Sequence, residues 1–156
     1  MIRLRDGSTE DAEALVAVHR AAALSAYGDV FPPDRYAYPE QETLDDVAAR
    51  LTDGGVIVAE DESGIVGFAV VSEGWLDRLY VAPESWGTGA GSLLHDAAVE
   101  RRRAAGDRRL RLWTLEANDR ARAFYERRGW RLDGTTKTTR HPPHPVDVGY
   151  SLYLHP

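Results

Sequence analysis

The residue types best suited to chemistry lie in a glycine-rich segment at positions 86–91, which reads Trp-Gly-Thr-Gly-Ala-Gly. The segment follows an apolar run at 79–81 and Pro83, and it leads into a helical apolar pattern at 89–105. Glycine allows positive φ angles and close approach of the backbone to a ligand. A helix start adds unpaired N–H groups and a partial positive charge. The segment therefore predicts a cradle for a phosphate-bearing ligand.

Two familiar phosphate-binding loops differ from this segment. A Walker A loop needs a lysine after its last glycine, and the segment has none. A dinucleotide fingerprint would place its third glycine where Ser92 stands. It would also place an acidic residue about 20 positions further on, where Arg108 and Arg109 stand instead. NADP binding stays open as an alternative, because arginine can accept the additional phosphate of that cofactor.

A second motif follows at 112–130. Its key positions are Asn118, Ala121, Phe124, Tyr125, Gly129 and Trp130. Together, the two segments resemble the GNAT superfamily of acetyl-CoA-dependent N-acetyltransferases. The first is similar to that family's pyrophosphate motif, Arg/Gln-x-x-Gly-x-Gly/Ala. The second is similar to its Asn-x-x-Ala-x-x-Phe-Tyr-x-x-x-Gly-Phe motif, with tryptophan in the last position. The resemblance covers nearly the whole chain.

The resemblance implies a set of residues that bind acetyl-CoA. Backbone groups at 79–81 would pair with the pantetheine arm, and N–H groups at 87–92 would hold the pyrophosphate. The implied cofactor-binding residues are Leu79, Tyr80, Val81, Trp86, Gly87, Thr88, Gly89, Ala90, Gly91, Ser92, Asn118, Phe124 and Tyr125. Trp86 replaces the family's Arg or Gln, so a side-chain donor is lost from the loop.

Some implied contacts have alternatives. Asn118 would bond the cofactor, but a helix follows it, so it could equally serve as the N-cap of that helix. One of Arg120, Arg122 and Arg127 would reach the ribose phosphate, and the sequence does not distinguish among them.

The resemblance implies that Tyr125 is catalytic. In direct attack of an amine on the acetyl carbonyl, the departing thiolate needs a proton. A phenol with a pKa of about 10 can supply it as a general acid. The alternative is a core aromatic, because Tyr125 shares a helical face with Ala121 and Phe124.

The general base is less clear from the sequence. Family members often carry a Glu on the fourth strand, and by register that position is Trp75 here. Asp77, two residues on and on the same face of a regular strand, is predicted to replace it through a water molecule. Glu73 and Glu116 are the next candidates. An acceptor amine of low pKa would need no strong base.

The acceptor is predicted to be the primary amine of a small molecule. The aromatic residues expected to line its pocket are Tyr27, Phe31, Tyr36, Tyr38 and Trp75. With Asp29 and Asp34 nearby they would suit a cation, although they could simply pack a rigid loop. A protein N-terminus or lysine side chain is the alternative acceptor. A non-catalytic acyl-CoA-binding module is the alternative to an enzyme.

These residues depend on elements that the hydrophobic pattern predicts. The predicted strands are 2–5, 56–60, 65–72, 75–81, 108–114, 130–140 and 146–154, and the predicted helices are 12–26, 43–51, 89–105 and 118–128. The buried stripe of the third helix is predicted to contain Leu93, Leu94, Ala97 and Ala98. The order β-α-α-β-β-β-α-β-α-β-β predicts a single α/β domain over 1–156, with helices packed on a mixed sheet.

Composition bounds the remaining classes. The 156 residues are 43% hydrophobic and 28% charged, as in an ordinary globular domain. With no cysteine, disulfides, cysteine-ligated metals and a thiolate nucleophile are excluded. His141 and His144 lack a third ligand nearby, so we expect a stiff loop and no metal.

Charge and hydropathy argue against nucleic acid and membrane partners. Net charge is −6, divided into −13 over 1–100 and +7 over 101–156. The basic stretch at 101–103 lacks interleaved aromatics, so it predicts a solvated face. The sequence has neither a membrane-spanning run nor an obvious signal peptide, so we expect a cytoplasmic protein. The resemblance further implies a possible homodimer.

Overall fold

The computed structural model describes residues 1–155, which form a seven-stranded sheet with helices on both faces. The strands are β1 (Arg3–Asp6), β2 (Val56–Asp61), β3 (Gly64–Ser72), β4 (Trp75–Val81), β5 (Arg109–Leu115), β6 (Arg131–Thr138) and β7 (Val146–Tyr153). The helices are α1 (Ala12–Tyr27), α2 (Glu40–Asp53), α3 (Ala90–Ala104) and α4 (Asp119–Arg127). This is the predicted order, with α2 longer at both ends than expected.

The sheet is mixed, as predicted. Its strand order is β1-β2-β3-β4-β5-β7-β6. All neighbouring strands are antiparallel except β4 and β5, which are parallel and are connected through α3. None of the helices within residues 1–155 has both the length and the apolar character needed to cross a bilayer.

Two hydrophobic clusters hold the helices to the sheet. On one face, α1 and α2 contribute Leu15 and Val47, which pack against Phe68 of β3. On the other face, Leu94 of α3 and the fully buried Trp130 belong to the larger cluster. Each helix therefore buries one stripe, and the sheet supplies the interior of both layers.

The predicted buried stripe of α3 is wrong at one position. Leu93 is 45% exposed, whereas Leu94 and Ala98 are fully buried. His95 takes the remaining place in the stripe, and its Nε2 accepts a hydrogen bond of 3.0 Å from the indole N–H of Trp130. The apolar character of Leu93 did not determine its side of the helix. Its neighbours at helical spacing fixed which face meets the sheet.

A β-bulge in β4 opens the sheet next to β5. Val70 pairs with Arg78 and Val71 pairs with Leu76, so Asp77 has no partner on β3. A bulge bends its strand and increases the twist. On the other side, β4 pairs with β5 at a single position, Trp75 opposite Arg111. Beyond that position the two parallel strands separate, and a cleft opens between them.

Candidate active site

The separation of β4 from β5 leaves a cavity of about 460 Å³ between α1, α3 and α4. This volume lies in the range of small-molecule sites. The predicted site residues that line it are Tyr27, Asp77, Leu79, Tyr80, Val81, Trp86, Gly87, Gly89, Gly91, Ser92, Asn118, Phe124 and Tyr125. The structure thus brings the glycine segment, the end of β4 and the face of α4 to one place.

The glycine segment forms a tight turn that ends at the start of α3. Gly87 and Gly89 have φ angles of 82° and 96°, a region that side chains with a Cβ rarely adopt. The first bond of the helix runs from the N–H of Leu93 to the carbonyl of Gly89. The N–H groups of Ala90, Gly91 and Ser92 precede it and have no intrahelical acceptor. They are available to an anion in the cavity.

Two members of the predicted set, Thr88 and Ala90, do not line the cavity. The hydroxyl of Thr88 donates to the carbonyl oxygen of Ser85 at 2.6 Å, so it closes the turn. The methyl group of Ala90 is buried in the core beneath the helix start. Neither side chain lines the cavity. The N–H of Thr88 also donates to the carbonyl of Ser85, at 3.3 Å.

The edge of β4 beyond the single pair with β5 is free of strand partners. It contains Leu79, Tyr80 and Val81, the residues to which the resemblance assigns the pantetheine arm. Backbone groups that lack a ladder partner need another one, and a ligand with amide groups can supply it. At the end of this edge, the carbonyl of Val81 accepts a bond of 2.8 Å from the indole N–H of Trp86.

Tyr125 lies at the inner end of the cavity, only 8% exposed. Burial raises the pKa of its phenol, and the nearby Tyr80 raises it further. Its hydroxyl has no hydrogen-bond partner among residues 1–155, yet it is not one of the fully buried unpaired atoms, so it is accessible from the cavity. Edge contacts with Phe124 and Trp130, at 5.3 and 5.8 Å between ring centroids, fix the ring.

A second phenol approaches the same region from α1. Burial raises the pKa of Tyr27 well above its usual value, with further contributions from the neighbouring Tyr80 and Tyr125. A hydrogen bond between the side chain of Asn118 and the Tyr27 hydroxyl acts against this rise, because it lowers the pKa of Tyr27. Three phenols and one amide therefore converge at the junction of α1, β4 and α4.

Asn118 is the N-cap of α4, as the alternative above proposed, and it also lines the cavity. Its side-chain oxygen accepts a bond of 3.1 Å from the N–H of Ala121 and caps α4. The cap occupies the oxygen and leaves the amide NH₂ group, which can face Tyr27 or a ligand.

Asp77 lies in the cavity wall, but one of its oxygens is already occupied. Its Oδ2 accepts bonds from Arg50 of α2 at 3.0 Å and from the hydroxyl of Ser72 at 2.6 Å. The regular alternation assumed from Trp75 to Leu79 is interrupted by the bulge at Asp77. Leu76 and Leu79 consequently lie on the same face, in the cluster beneath α3.

Of the aromatic residues predicted to line an acceptor pocket, only Tyr27 lines the cavity. Phe31 and Tyr36 contact each other edge to face within the loop that follows α1, at 6.4 Å. Trp75 stacks on Trp113 at 6.3 Å and lies beneath the guanidinium of Arg111. The loop aromatics pack locally because they are close in sequence, which is the alternative noted for them above.

Tyr38, the fifth of those aromatics, forms a hydrogen bond with Nδ1 of His19 instead. His19 is buried on α1 and packs edge to face on Tyr80, with 4.4 Å between the ring centroids. Burial, together with the cationic Arg78 3.3 Å from Nε2, lowers the pKa of His19 to about 3. His19 is therefore neutral and acts as a support behind the wall of the cavity. Its helical spacing from Leu15 and Ala22 could have indicated its burial.

Sequence reasoning missed further side chains of the cavity wall. Trp113, Arg78 and Arg128 all line it. Arg128 donates to the hydroxyl of Ser92 and to the carbonyl of Phe124. Of the arginines considered for a phosphate, Arg120 and Arg127 line the cavity. Arg122 instead binds the hydroxyl of Tyr150 and the carbonyl of Glu116.

No group of three or more potential metal ligands is present among residues 1–155. In the loop before β7, His144 contacts the carbonyl of Thr139 at 2.9 Å through its Nδ1.

Comparisons with known proteins agree with this geometry. The model of the acetyltransferase (GNAT) family matches residues 17–130, and the chain belongs to that family. It is 31% identical to the mycothiol acetyltransferase of Propionibacterium freudenreichii, over 92% of this chain and 49% of that protein. It is 37% identical to the probable N-acetyltransferase Rv2775 of Mycobacterium tuberculosis, over 50% of this chain and 44% of that protein. The chain thus spans about half the length of these relatives.

Solved structures share the fold. The PaiA N-acetyltransferase of Thermoplasma acidophilum, solved in complex with coenzyme A, superposes with a TM-score of 0.76 at 21% identity, covering 99% of both chains. A GCN5-related N-acetyltransferase from Rhodopseudomonas palustris has a TM-score of 0.79 at 24% identity, covering 97% of this chain and 95% of that one. The GNAT fold predicted from the two motifs is confirmed.

Proposed function

We propose that this chain transfers an acetyl group from acetyl-CoA to a primary amine, by direct attack within a ternary complex. The observation that carries the proposal is one cavity that joins the three parts such a reaction needs. These are an anion cradle at the start of α3, an unpaired strand edge at 79–81 and the phenol of Tyr125.

The residues present fit coenzyme A. The N–H groups at the start of α3 suit its pyrophosphate, and the free edge of β4 suits the amides of its pantetheine arm. Gly91 lies against Phe124, and a Cβ there would approach the phenyl ring to 3.4 Å, so the helix start and α4 already meet closely. Bound acetyl-CoA supplies an activated thioester carbonyl.

In the proposed reaction, Tyr125 is the general acid. As the amine nitrogen bonds to the carbonyl carbon and the carbon–sulfur bond breaks, the phenol donates its proton to the sulfur. Its raised pKa keeps it protonated before that step. Asp77 is the proposed base, which accepts a proton from the amine through a water molecule. Since Oδ2 is held by Arg50 and Ser72, the proton would go to Oδ1.

We also propose that the acceptor is a small molecule, because α1 covers the cavity with Ala22, Ala26 and Tyr27. An amine panel scored by release of the coenzyme A thiol tests this part. Small amines should be turned over faster than peptide N-termini or lysine peptides. The opposite preference would assign the chain to protein acetylation.

Calorimetric binding of acetyl-CoA to wild-type protein and to Gly89→Glu tests the cofactor site. The glutamate adds a negative charge to the proposed cradle and a side chain at a φ of 96°. Gly106→Glu is the matched control, because its φ of 100° imposes the same backbone strain at the far end of α3. We expect micromolar binding by the wild type and the control, and none by Gly89→Glu.

Equal binding by both variants would refute the cradle. Binding of NADP in place of acetyl-CoA would assign the site to a dinucleotide. Acetyl-CoA binding without turnover of any amine would favour a non-catalytic acyl-CoA-binding module.

A further inference from the structure

The glycine turn begins with a tryptophan whose indole ring carries an arginine. The guanidinium carbon of Arg120, on the first turn of α4, lies 3.6 Å from the centroid of the Trp86 ring. This separation is that of a guanidinium stacked directly on an aromatic face. The indole is itself fixed, because its N–H donates to the carbonyl of Val81 at 2.8 Å. The indole of Trp86 is thus held in place, and the guanidinium of Arg120 lies on one face of its ring.

Among residues 1–155, no carboxylate or hydrogen-bond partner engages the guanidinium of Arg120, which leaves it available to an anion. Partial burial lowers its pKa, and no carboxylate contributes to that shift. Two of the other three cavity arginines differ from it. Arg128 is committed to Ser92 and Phe124, and Arg78 is paired with Asp46 at 3.1 Å. An arginine stacked on an aromatic ring keeps its N–H edges available for a phosphate.

The position of the stack determines which phosphate it can reach. Through Val81 and Trp86, it lies at the junction of the free β4 edge and the glycine turn. In coenzyme A the pyrophosphate is joined directly to the pantetheine arm, whereas the 3′-phosphate lies beyond the ribose. A ligand whose arm follows β4 therefore presents its pyrophosphate at this junction.

We propose that Arg120, held on the face of Trp86, binds the pyrophosphate of coenzyme A and replaces the side-chain donor that the glycine loop lacks. This inference rests on the proposed function and adds a specific residue to it. Trp86 positions the guanidinium, and the N–H groups of α3 bind the same anion from the other side. In this chain, the positive side chain for the pyrophosphate would therefore come from α4 and not from the glycine loop.

The test is calorimetric titration of coenzyme A and of dephospho-coenzyme A, which lacks only the 3′-phosphate. Arg120→Ala should weaken binding of both ligands by the same factor, about 10- to 100-fold, as expected for a lost charge-assisted hydrogen bond. Arg103→Ala is the charge-matched control, because that side chain pairs with Glu100 near the end of α3. It should change neither dissociation constant by more than about threefold, the scale left for long-range screening.

A second variant tests the replacement itself. Trp86→Arg in the Arg120→Ala background returns a donor to the loop, and it should recover most of the lost affinity. If the double variant binds coenzyme A no better than Arg120→Ala does, Arg120 does not replace a side-chain donor at position 86. A loss seen with coenzyme A but not with dephospho-coenzyme A would assign Arg120 to the 3′-phosphate and overturn the proposal.

The remaining outcomes separate this inference from the proposed function. If the wild type binds coenzyme A and Arg120→Ala binds it equally well, only the role of Arg120 fails. If the wild type binds no coenzyme A, the proposed function fails and this inference fails with it.

Discussion

Replacement of Tyr125 by phenylalanine separates the proposed proton donor, the phenol hydroxyl, from the packing of its ring. The ring contacts with Phe124 and Trp130 persist in the variant. The hydroxyl has no hydrogen-bond partner among residues 1–155, so its removal leaves no protein donor or acceptor unpaired. We therefore expect the free energy of unfolding and the affinity for coenzyme A to change little.

Turnover should fall, because the departing sulfur would lose its proton donor. General acid catalysis contributes about 10²- to 10⁴-fold in rate. A thiol has a pKa near about 8.5, so a thiolate leaves fairly well without full protonation. We therefore expect the lower end, about a 100-fold loss of kcat, which corresponds to about 2.7 kcal/mol of transition-state stabilisation.

The matched control is Tyr150→Phe, at a tyrosine that is also buried but whose hydroxyl forms hydrogen bonds in the structure. That hydroxyl donates to Glu126 at 2.5 Å and accepts from Arg122 at 3.0 Å. Its loss should cost about 1–3 kcal/mol of stability and leave kcat unchanged at temperatures where the variant is folded. The two tyrosines should thus show opposite profiles of turnover and stability.

The assay is thiol release at saturating acetyl-CoA with the best amine of the panel, combined with urea unfolding of both variants. Retention of kcat within twofold by Tyr125→Phe would refute the general acid. Equal losses of turnover and stability would instead identify Tyr125 as a core aromatic.

Two further predictions concern proton uptake. Asp77→Asn should lower kcat/KM about 100-fold if the carboxylate is the base. A kcat/KM no lower than that of Arg50→Ala would show that Asp77 acts only through its ion pair with Arg50. His19 is neutral in the fold because its pKa is about 3, whereas in the unfolded chain it is protonated below about pH 6.5. The free energy of unfolding should therefore fall as the pH drops below 6.5, by about 1.6 kcal/mol between pH 6.5 and 5. In urea titrations, the free energy of unfolding of His19→Gln should depend less on pH than that of the wild type. An equal pH dependence of the two proteins would contradict a buried, neutral His19.

Much of the architecture was predictable because its signals are local. Alternation predicted the strands, helical spacing predicted the helices, and glycine at 87 and 89 marked the positive-φ turn before α3. The two family motifs are also local, so the GNAT fold and most of the cavity wall followed from the sequence.

What required the tertiary structure depends on contacts between distant residues. The bulge at Asp77 arises from pairing with β3, so it interrupts the regular alternation from which Asp77 was related to Trp75. The exposure of Leu93 and the burial of His95 depend on which side of α3 meets the sheet.

The same reason explains the difference between the aromatic loop and the stacked arginine. Composition grouped the aromatics after α1 into a pocket, but Phe31 and Tyr36 satisfy each other locally. Trp86 and Arg120 lie far apart in the sequence, and only the packing of α4 beside the glycine turn brings the guanidinium onto the indole ring. The sequence by itself determined which elements form and which motifs they carry. The tertiary structure decided which side chains share the cavity, because that depends on how β4 bends and how α4 packs.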